Sequence, residues 1–180
     1  MKISEFVKKL KSYGWFEYYT EENEEKFIAK IKERLAEYEI EDHEVENFDA
    51  LFPCTWLDPE CIHGFGAYDD LLNELAADSF GLFNPVDTDE EWDDEAGTIE
   101  LSYTLNGHKI SHKWENTGSD YIDIEFWACI DMGIEKAIPH IALVDIEDSS
   151  GMYSKVFGSR KAIKEIAKCG LVSFITEHNI

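Results

Sequence analysis

Three stretches of the first 80 residues place their apolar side chains at the spacing of an amphipathic helix. Residues three, four and seven positions apart lie on one helix face, so each stretch has one apolar side. Gly14 follows the first stretch, where a left-handed C-cap is expected, and Thr20 precedes the second as an N-cap. We predict three helices here, with an ordered and partly buried loop over 40–66. Their apolar faces consist of Ile3, Phe6, Val7 and Leu10, of Phe27, Ile28, Ile31, Leu35 and Tyr38, and of Tyr68, Leu71, Leu72 and Leu75.

Between residues 98 and 115 the pattern changes to the two-residue period of a strand. The segments TIELSYTL and HKISHKWE flank Asn106 and Gly107, the dipeptide most favoured in a two-residue type I′ turn. Because apolar residues then share one face and opposite charges meet on the other, the predicted hairpin register is self-consistent. The register pairs Ile99 with Trp114, Leu101 with His112, Tyr103 with Ile110, Glu100 with Lys113 and Thr104 with Lys109.

The segment after Gly118 fits both a helix and a strand at first sight. Alternation of apolar and acidic residues over 122–126 suits a strand, whereas the apolar residues also share a helical face as far as Ala137. Ser119 or Asp120 can cap a helix, and the length of the pattern favours one. We therefore predict a helix that ends before Pro139.

The remaining pattern completes an α+β fold. We predict strands over 140–146 and 153–158, a helix over 160–169 and a final strand over 171–175. Helices come first and strands are joined by short turns, which is typical of a largely antiparallel sheet flanked by helices. A single domain over 1–180 is expected, with a mainly helical part over 1–80 and an α+β part over 98–180.

Charge changes the picture more than any other property of the composition. The 180 residues include 39 acidic and 16 basic side chains, for a formal net charge of −23 at pH 7. The acids are densest in the run DTDEEWDDE over 87–95 and in a belt over 17–49. A folded domain with this charge repels nucleic acid and anionic membrane and encounters basic partners faster. We therefore expect a basic protein partner, no nucleic acid and no membrane.

The run over 87–95 is interpreted either as a solvated acidic loop or as a partner-binding loop. Tryptophan is a preferred anchor of protein interfaces, and carboxylates around it would form a charged rim. The second interpretation makes this loop the candidate partner-binding site. Its residues are Asp89, Glu90, Glu91, Trp92, Asp93 and Asp94.

No residues match the spacing of a known metal site. The EF-hand template fails in the acidic run, because Trp92 and Thr98 occupy the positions that require Gly and Glu. Cys54, Cys61 and His63 lack the closely paired cysteines of a zinc knuckle. We expect no metal and no cofactor.

Catalytic motifs are also missing from the sequence. There is no G-x-S-x-G elbow, and no cysteine lies in an activating motif. His112 falls on the apolar face of the hairpin, where we expect a hydrogen-bonded core histidine, and nothing in the sequence gives His140 a partner. We expect a protein that is not an enzyme. The first residues lack the apolar stretch of a signal peptide, so we expect a cytoplasmic protein with reduced thiols.

The C-terminal half resembles immunity proteins of bacterial polymorphic toxin systems. The resemblance is carried by the segments LSYTLNGHKISHKWE, SDYIDIEFWACIDMGIEKA, HIALVDI and VFGSRKAIKEIAKCGL. It implies a small, acidic, cytoplasmic α+β protein without catalysis of its own. Such a protein neutralises a cognate toxin domain, often a basic nuclease, by covering its active site.

A stoichiometric inhibitor of this kind is the leading hypothesis for function. The first alternative is a hydrolase that uses carboxylates and histidines, and the second is an acidic adaptor without a toxin partner. A neighbouring gene for a secreted protein with a basic C-terminal domain would favour the inhibitor, whereas proteome-wide acidity would favour the adaptor.

Overall fold

The computed structural model describes residues 1–38, 45, 48–146 and 153–175. The described residues form five helices and seven strands, which confirms the predicted α+β class and the helical N-terminal part. The elements in chain order are α1 (Ile3–Tyr13), α2 (Glu21–Glu37), β1 (Thr55–Leu57), α3 (Ala67–Asp78), β2 (Val86–Asp93), β3 (Thr98–Leu105), β4 (His108–Glu115), α4 (Ile124–Ala137), β5 (Ile141–Ile146), β6 (Tyr153–Ser159), α5 (Arg160–Lys168) and β7 (Phe174–Ile175).

The strands form two antiparallel sheets rather than a single one. The four-stranded sheet has the order β1-β6-β5-β7, and the three-stranded sheet has the order β2-β3-β4. The sequence prediction missed β1 and β2. It also made the last strand longer, whereas residues 170–171 close α5 through hydrogen bonds to the carbonyls of Ala167 and Ile166.

The four-stranded sheet lies between two hydrophobic cores. Alternate residues of its central strands point to opposite faces, as the strand period requires. Val144 and Val156 pack into a core shared with α1, α2 and α5. Ile141 and Phe157 pack on the other side, against α3, α4 and the inner face of the three-stranded sheet. The three-stranded sheet therefore has one buried face and one face toward solvent.

The hairpin of β3 and β4 has the predicted register. Tyr103 lies opposite Ile110 and Glu100 opposite Lys113, and the turn residues Asn106 and Gly107 have φ values of 47° and 79°. Positive φ at both central positions is the requirement of a type I′ turn.

Replacing Gly107 with Val is expected to destabilise the protein by on the order of 2 kcal/mol, because a β-branched residue is strained at positive φ. No atom lies within 4 Å of a Cβ built at this position, so the cost is backbone strain rather than a clash. Gly107→Asn is the matched control, since Asn tolerates this conformation. Chemical denaturation measures both variants, and equal stability of the two would contradict the account of the turn.

Segment 121–130 is helical from Ile124 onward, but the predicted cap is wrong. Asp123 is the N-cap, and its carboxylate accepts a hydrogen bond from the Glu125 N–H at 3.0 Å. The residues before it are held in another conformation by the loop that precedes α3. The Ile122 N–H donates to the Pro59 carbonyl at 2.8 Å, and the Asp120 carbonyl accepts from the Ile62 N–H at 2.9 Å.

Candidate partner-binding surface

The acidic run forms an edge strand, so the loop expected over 87–95 is wrong for most of its length. Strand β2 pairs with β3, with Glu90 opposite Leu101 and Trp92 opposite Ile99. Both partners on β3 are buried, which places Glu90 and Trp92 on the inner face of the sheet. Asp89, Glu91 and Asp93, which alternate with them, therefore project from the outer face.

Glu90 caps a helix that has no capping side chain of its own. The N-cap of α3 is Gly66, and the Glu90 carboxylate accepts hydrogen bonds from the Gly66 N–H at 3.0 Å and from the Asp69 N–H at 2.8 Å. These are two of the donors that every helix leaves unpaired at its N-terminus, where the helix dipole also favours an anion. Glu90 is only 5% exposed. Its placement gives it a structural role and takes it off the surface that a partner would meet.

Trp92 is half-buried beside Glu90 instead of standing among solvated carboxylates. Its indole N–H donates to a Glu90 carboxylate oxygen, and its ring lies 6.5 Å from the Tyr68 ring, centroid to centroid. It packs against the core that contains α3. Of the six predicted site residues, the structure thus separates Glu90 and Trp92 from the other four.

The outer face of the three-stranded sheet is polar, with acids along β2 and two lysines, Lys109 and Lys113, on β4. We call the outward acids of β2 and β3, together with the turn residue Asp94, the acidic sheet face: Asp89, Glu91, Asp93, Asp94 and Glu100. Glu91 lies directly opposite Glu100 across the strand pair. Like charges in this position destabilise a sheet. Lys113 lies opposite Glu100 on its other side, and Ser111 donates a hydrogen bond to the Glu100 carboxylate at 2.6 Å.

The turn that follows β2 is held by one of the acidic residues. One Asp93 oxygen accepts hydrogen bonds from the N–H groups of Glu95 at 3.1 Å and Ala96 at 2.9 Å. This local bonding is typical of Asp in turns. It leaves the side chains of Asp94 and Glu95 exposed at one end of the sheet.

A concave feature lies beside α3. A cavity of about 510 Å³ is bounded by the end of β1, the loop over 58–66 and the first turns of α3. Its lining includes Cys61 and His63, the residues weighed as zinc ligands. Three carboxylates and two exposed aromatic rings also line it, together with small and aliphatic residues. The sequence pattern around Gly64 and Gly66 did not reveal this cavity, because its walls come from separate elements.

The two thiols near this region have raised pKa values. Burial, with the negative charge of Asp58 and Glu74, raises the pKa of Cys61. Burial also raises the pKa of Cys54, although Arg34 and Trp56 act in the opposite direction. A reactive thiol needs a lowered pKa. Across residues 1–38, 45, 48–146 and 153–175, no three His, Cys, Asp or Glu side chains are grouped so that they could hold a metal ion.

The two histidines of the sequence analysis have different surroundings. His112 is half-buried, and its Nε2 lies 2.7 Å from a Glu125 carboxylate oxygen, so the predicted hydrogen bond is present and joins β4 to α4. His140 is exposed, and its ring lies 4.1 Å from the Tyr18 ring, centroid to centroid.

Comparison with protein families, curated proteins and solved structures finds no match to this chain. No helix among the described residues has the length and apolar character needed to cross a lipid bilayer.

Proposed function

We propose that this protein is an acidic, stoichiometric binding protein that neutralises a basic toxin domain in the cytoplasm by covering its active site. The observation that carries the proposal is the acidic sheet face, where Glu91 and Glu100 oppose each other and Asp89 and Asp93 flank them. Such an arrangement costs the isolated protein stability, and a cationic partner would relieve that cost.

The charge of the whole chain adds to the effect of this face. Residues 58–137, which include the three-stranded sheet, contain 20 of the 39 acidic residues and three of the 16 basic ones. The negative potential is therefore concentrated around this part of the fold. Complementary potential of this kind accelerates encounter with a basic partner and disfavours acidic ones. A nuclease domain must attract phosphate, so its binding surface is positively charged and complements the negative charge of this surface.

The frame beneath the acidic sheet face is held in place before any partner binds. Glu90 ties β2 to the start of α3, and the β3–β4 pairing fixes the other two strands. A surface whose backbone is already ordered loses less conformational entropy on association. The acids are thus presented on a strand frame rather than on a loop that must order on binding.

Co-expression in bacteria tests the proposed function. Where a neighbouring gene encodes a secreted protein with a basic C-terminal domain, that domain is expressed with this protein, with an empty vector, and with a variant that does not fold. We expect survival only with the intact protein, because neutralisation requires the folded binding surface. Cells that die equally in all three strains would contradict the proposal.

A further inference from the structure

We propose that the cavity beside α3 is a binding site for an arginine side chain of the basic partner. This inference rests on the proposed function and adds a specific pocket to it. The cavity combines a cation's two usual partners, carboxylates and exposed aromatic rings, in one concave site.

The charge of the lining is one-sided. Asp58, Asp70 and Glu74 contribute carboxylates, and neither lysine nor arginine is among the residues that line the cavity. Within the described part of the chain, none of these three carboxylates forms an ion pair. Burial is the main cause of the raised pKa of the neighbouring Cys61, and the negative charges of Asp58 and Glu74 add to it. The cavity therefore presents three carboxylates that no lysine or arginine of its own lining neutralises.

Two of these acids lie on α3 at a spacing that destabilises the helix. Asp70 and Glu74 are four residues apart on α3 and both are exposed, so they lie on one face of the helix. Like charges at this spacing destabilise a helix by a few tenths of a kcal/mol. A cationic ligand that contacts both carboxylates would remove their repulsion, and this relief would add to its binding affinity.

Two aromatic side chains remain exposed at the cavity. Phe65 is 74% exposed and Trp56 is 44% exposed. Trp56 is held by two contacts, because its indole N–H donates to the Cys54 sulfur at 2.7 Å and the Arg34 guanidinium carbon lies 5.5 Å from its ring centroid. This intramolecular pair shows that the indole accepts a guanidinium within the fold. Large apolar side chains left exposed in a group mark interaction sites.

The loop that carries Phe65 is held in its conformation. Gly64 and Gly66, on either side, have φ values of 132° and 92°, which residues with a side chain rarely adopt. The Gly66 N–H is bonded to Glu90, and the loop is tied to the segment before α4 at Ile62. Phe65 is thus presented to solvent by a fixed backbone.

Arginine fits these walls better than lysine does. Its planar guanidinium stacks on aromatic rings, is weakly hydrated, and can bridge two carboxylates with separate N–H groups. The ammonium of lysine is a strongly hydrated point charge and would gain less from Phe65 and Trp56.

An NMR titration of the full chain with N-acetyl-arginine amide tests this site. We expect saturable shifts of the Trp56 indole N–H and of the Gly64 and Gly66 amides, with weaker effects from N-acetyl-lysine amide. N-acetyl-citrulline amide has nearly the same shape without the charge, and it should leave these signals in place. Shifts that rise linearly without saturating, or that citrulline reproduces, would overturn the inference.

Two double variants of equal charge separate the cavity from the acidic sheet face. Asp70→Asn with Glu74→Gln should weaken arginine amide binding by about tenfold, since two exposed charge contacts are lost. Asp89→Asn with Glu91→Gln removes the same charge elsewhere and should leave the affinity within about twofold. Equal weakening by both pairs would overturn the inference. Saturable binding at the cavity without toxin neutralisation would contradict only the proposed function. Toxin neutralisation without binding at the cavity would contradict only the inference.

Discussion

The variant Glu90→Ala is expected to lower the free energy of unfolding by about 3 kcal/mol, a large effect for one residue of an acidic run. The change removes the shared acceptor of three donors, the N–H groups of Gly66 and Asp69 and the indole N–H of Trp92. A charged acceptor contributes more than a neutral one, and donors left buried without a partner carry a desolvation cost. The N-terminus of α3 would also lose the anion that complements its dipole.

Glu91→Ala is the matched control, because it makes the same chemical change at the next position of β2. Its side chain is exposed on the outer face, so we expect a loss below about 0.5 kcal/mol, or a small gain from relief of the repulsion with Glu100. Thermal unfolding should show a Tm lower by on the order of 10 °C for Glu90→Ala alone. Equal melting temperatures for the two variants would show that the cap does not hold α3.

Local patterns predicted the elements whose determinants lie within a few residues. The hairpin register followed from one dipeptide and the alternation on either side of it. The end of α1 followed from Gly14, and the start of α2 followed from Thr20. These signals depend on backbone conformation and nearest-neighbour pairing, which the chain encodes locally.

Local patterns did not reveal that β2 is a strand or that its Glu90 caps α3. Its sequence VDTDEEWD has no alternation of apolar and polar residues, because even its inward positions include a carboxylate. Glu90 differs from its neighbours only in its distant partners at the start of α3, more than 20 residues earlier in the chain. Strand pairing with β3 therefore overrides a composition that is unfavourable for strands.

The division into two sheets also depends on contacts that are remote in sequence. Strand β1 has three residues and pairs with β6 about 100 positions later, with Thr55 opposite Lys155. So short an element has no periodicity of its own to detect. The cavity beside α3 depends on the same contacts, since β1 supplies its Trp56 wall.

Neutralising four of the five acids of the acidic sheet face should slow association with the proposed toxin domain by about tenfold or more at low salt, because attraction between opposite charges steers the encounter. The variant carries Asp89→Asn, Glu91→Gln, Asp93→Asn and Asp94→Asn. Amide side chains preserve shape, and the amide oxygen at position 93 can still accept the turn hydrogen bonds. Glu90 is kept, so α3 retains its cap. We expect unfolding stability to stay the same or rise slightly, since the Glu91–Glu100 repulsion disappears.

The matched control removes four charges from the acidic belt over 17–49, through Glu17→Gln, Glu21→Gln, Glu25→Gln and Glu37→Gln. All four side chains are exposed, and the salt bridges found among the described residues involve none of them. Net charge is then identical in the two variants, so a difference between them reports the position of the charge.

Stopped-flow measurement of the association rate constant against ionic strength, for the wild type and both variants, tests the central claim most directly. The account predicts a steep decrease with salt for the wild type and the belt variant, and a lower, flatter dependence for the variant of the acidic sheet face. Rate constants and salt slopes that are equal for the two variants would contradict the assignment of the acidic sheet face as the surface that meets the basic partner.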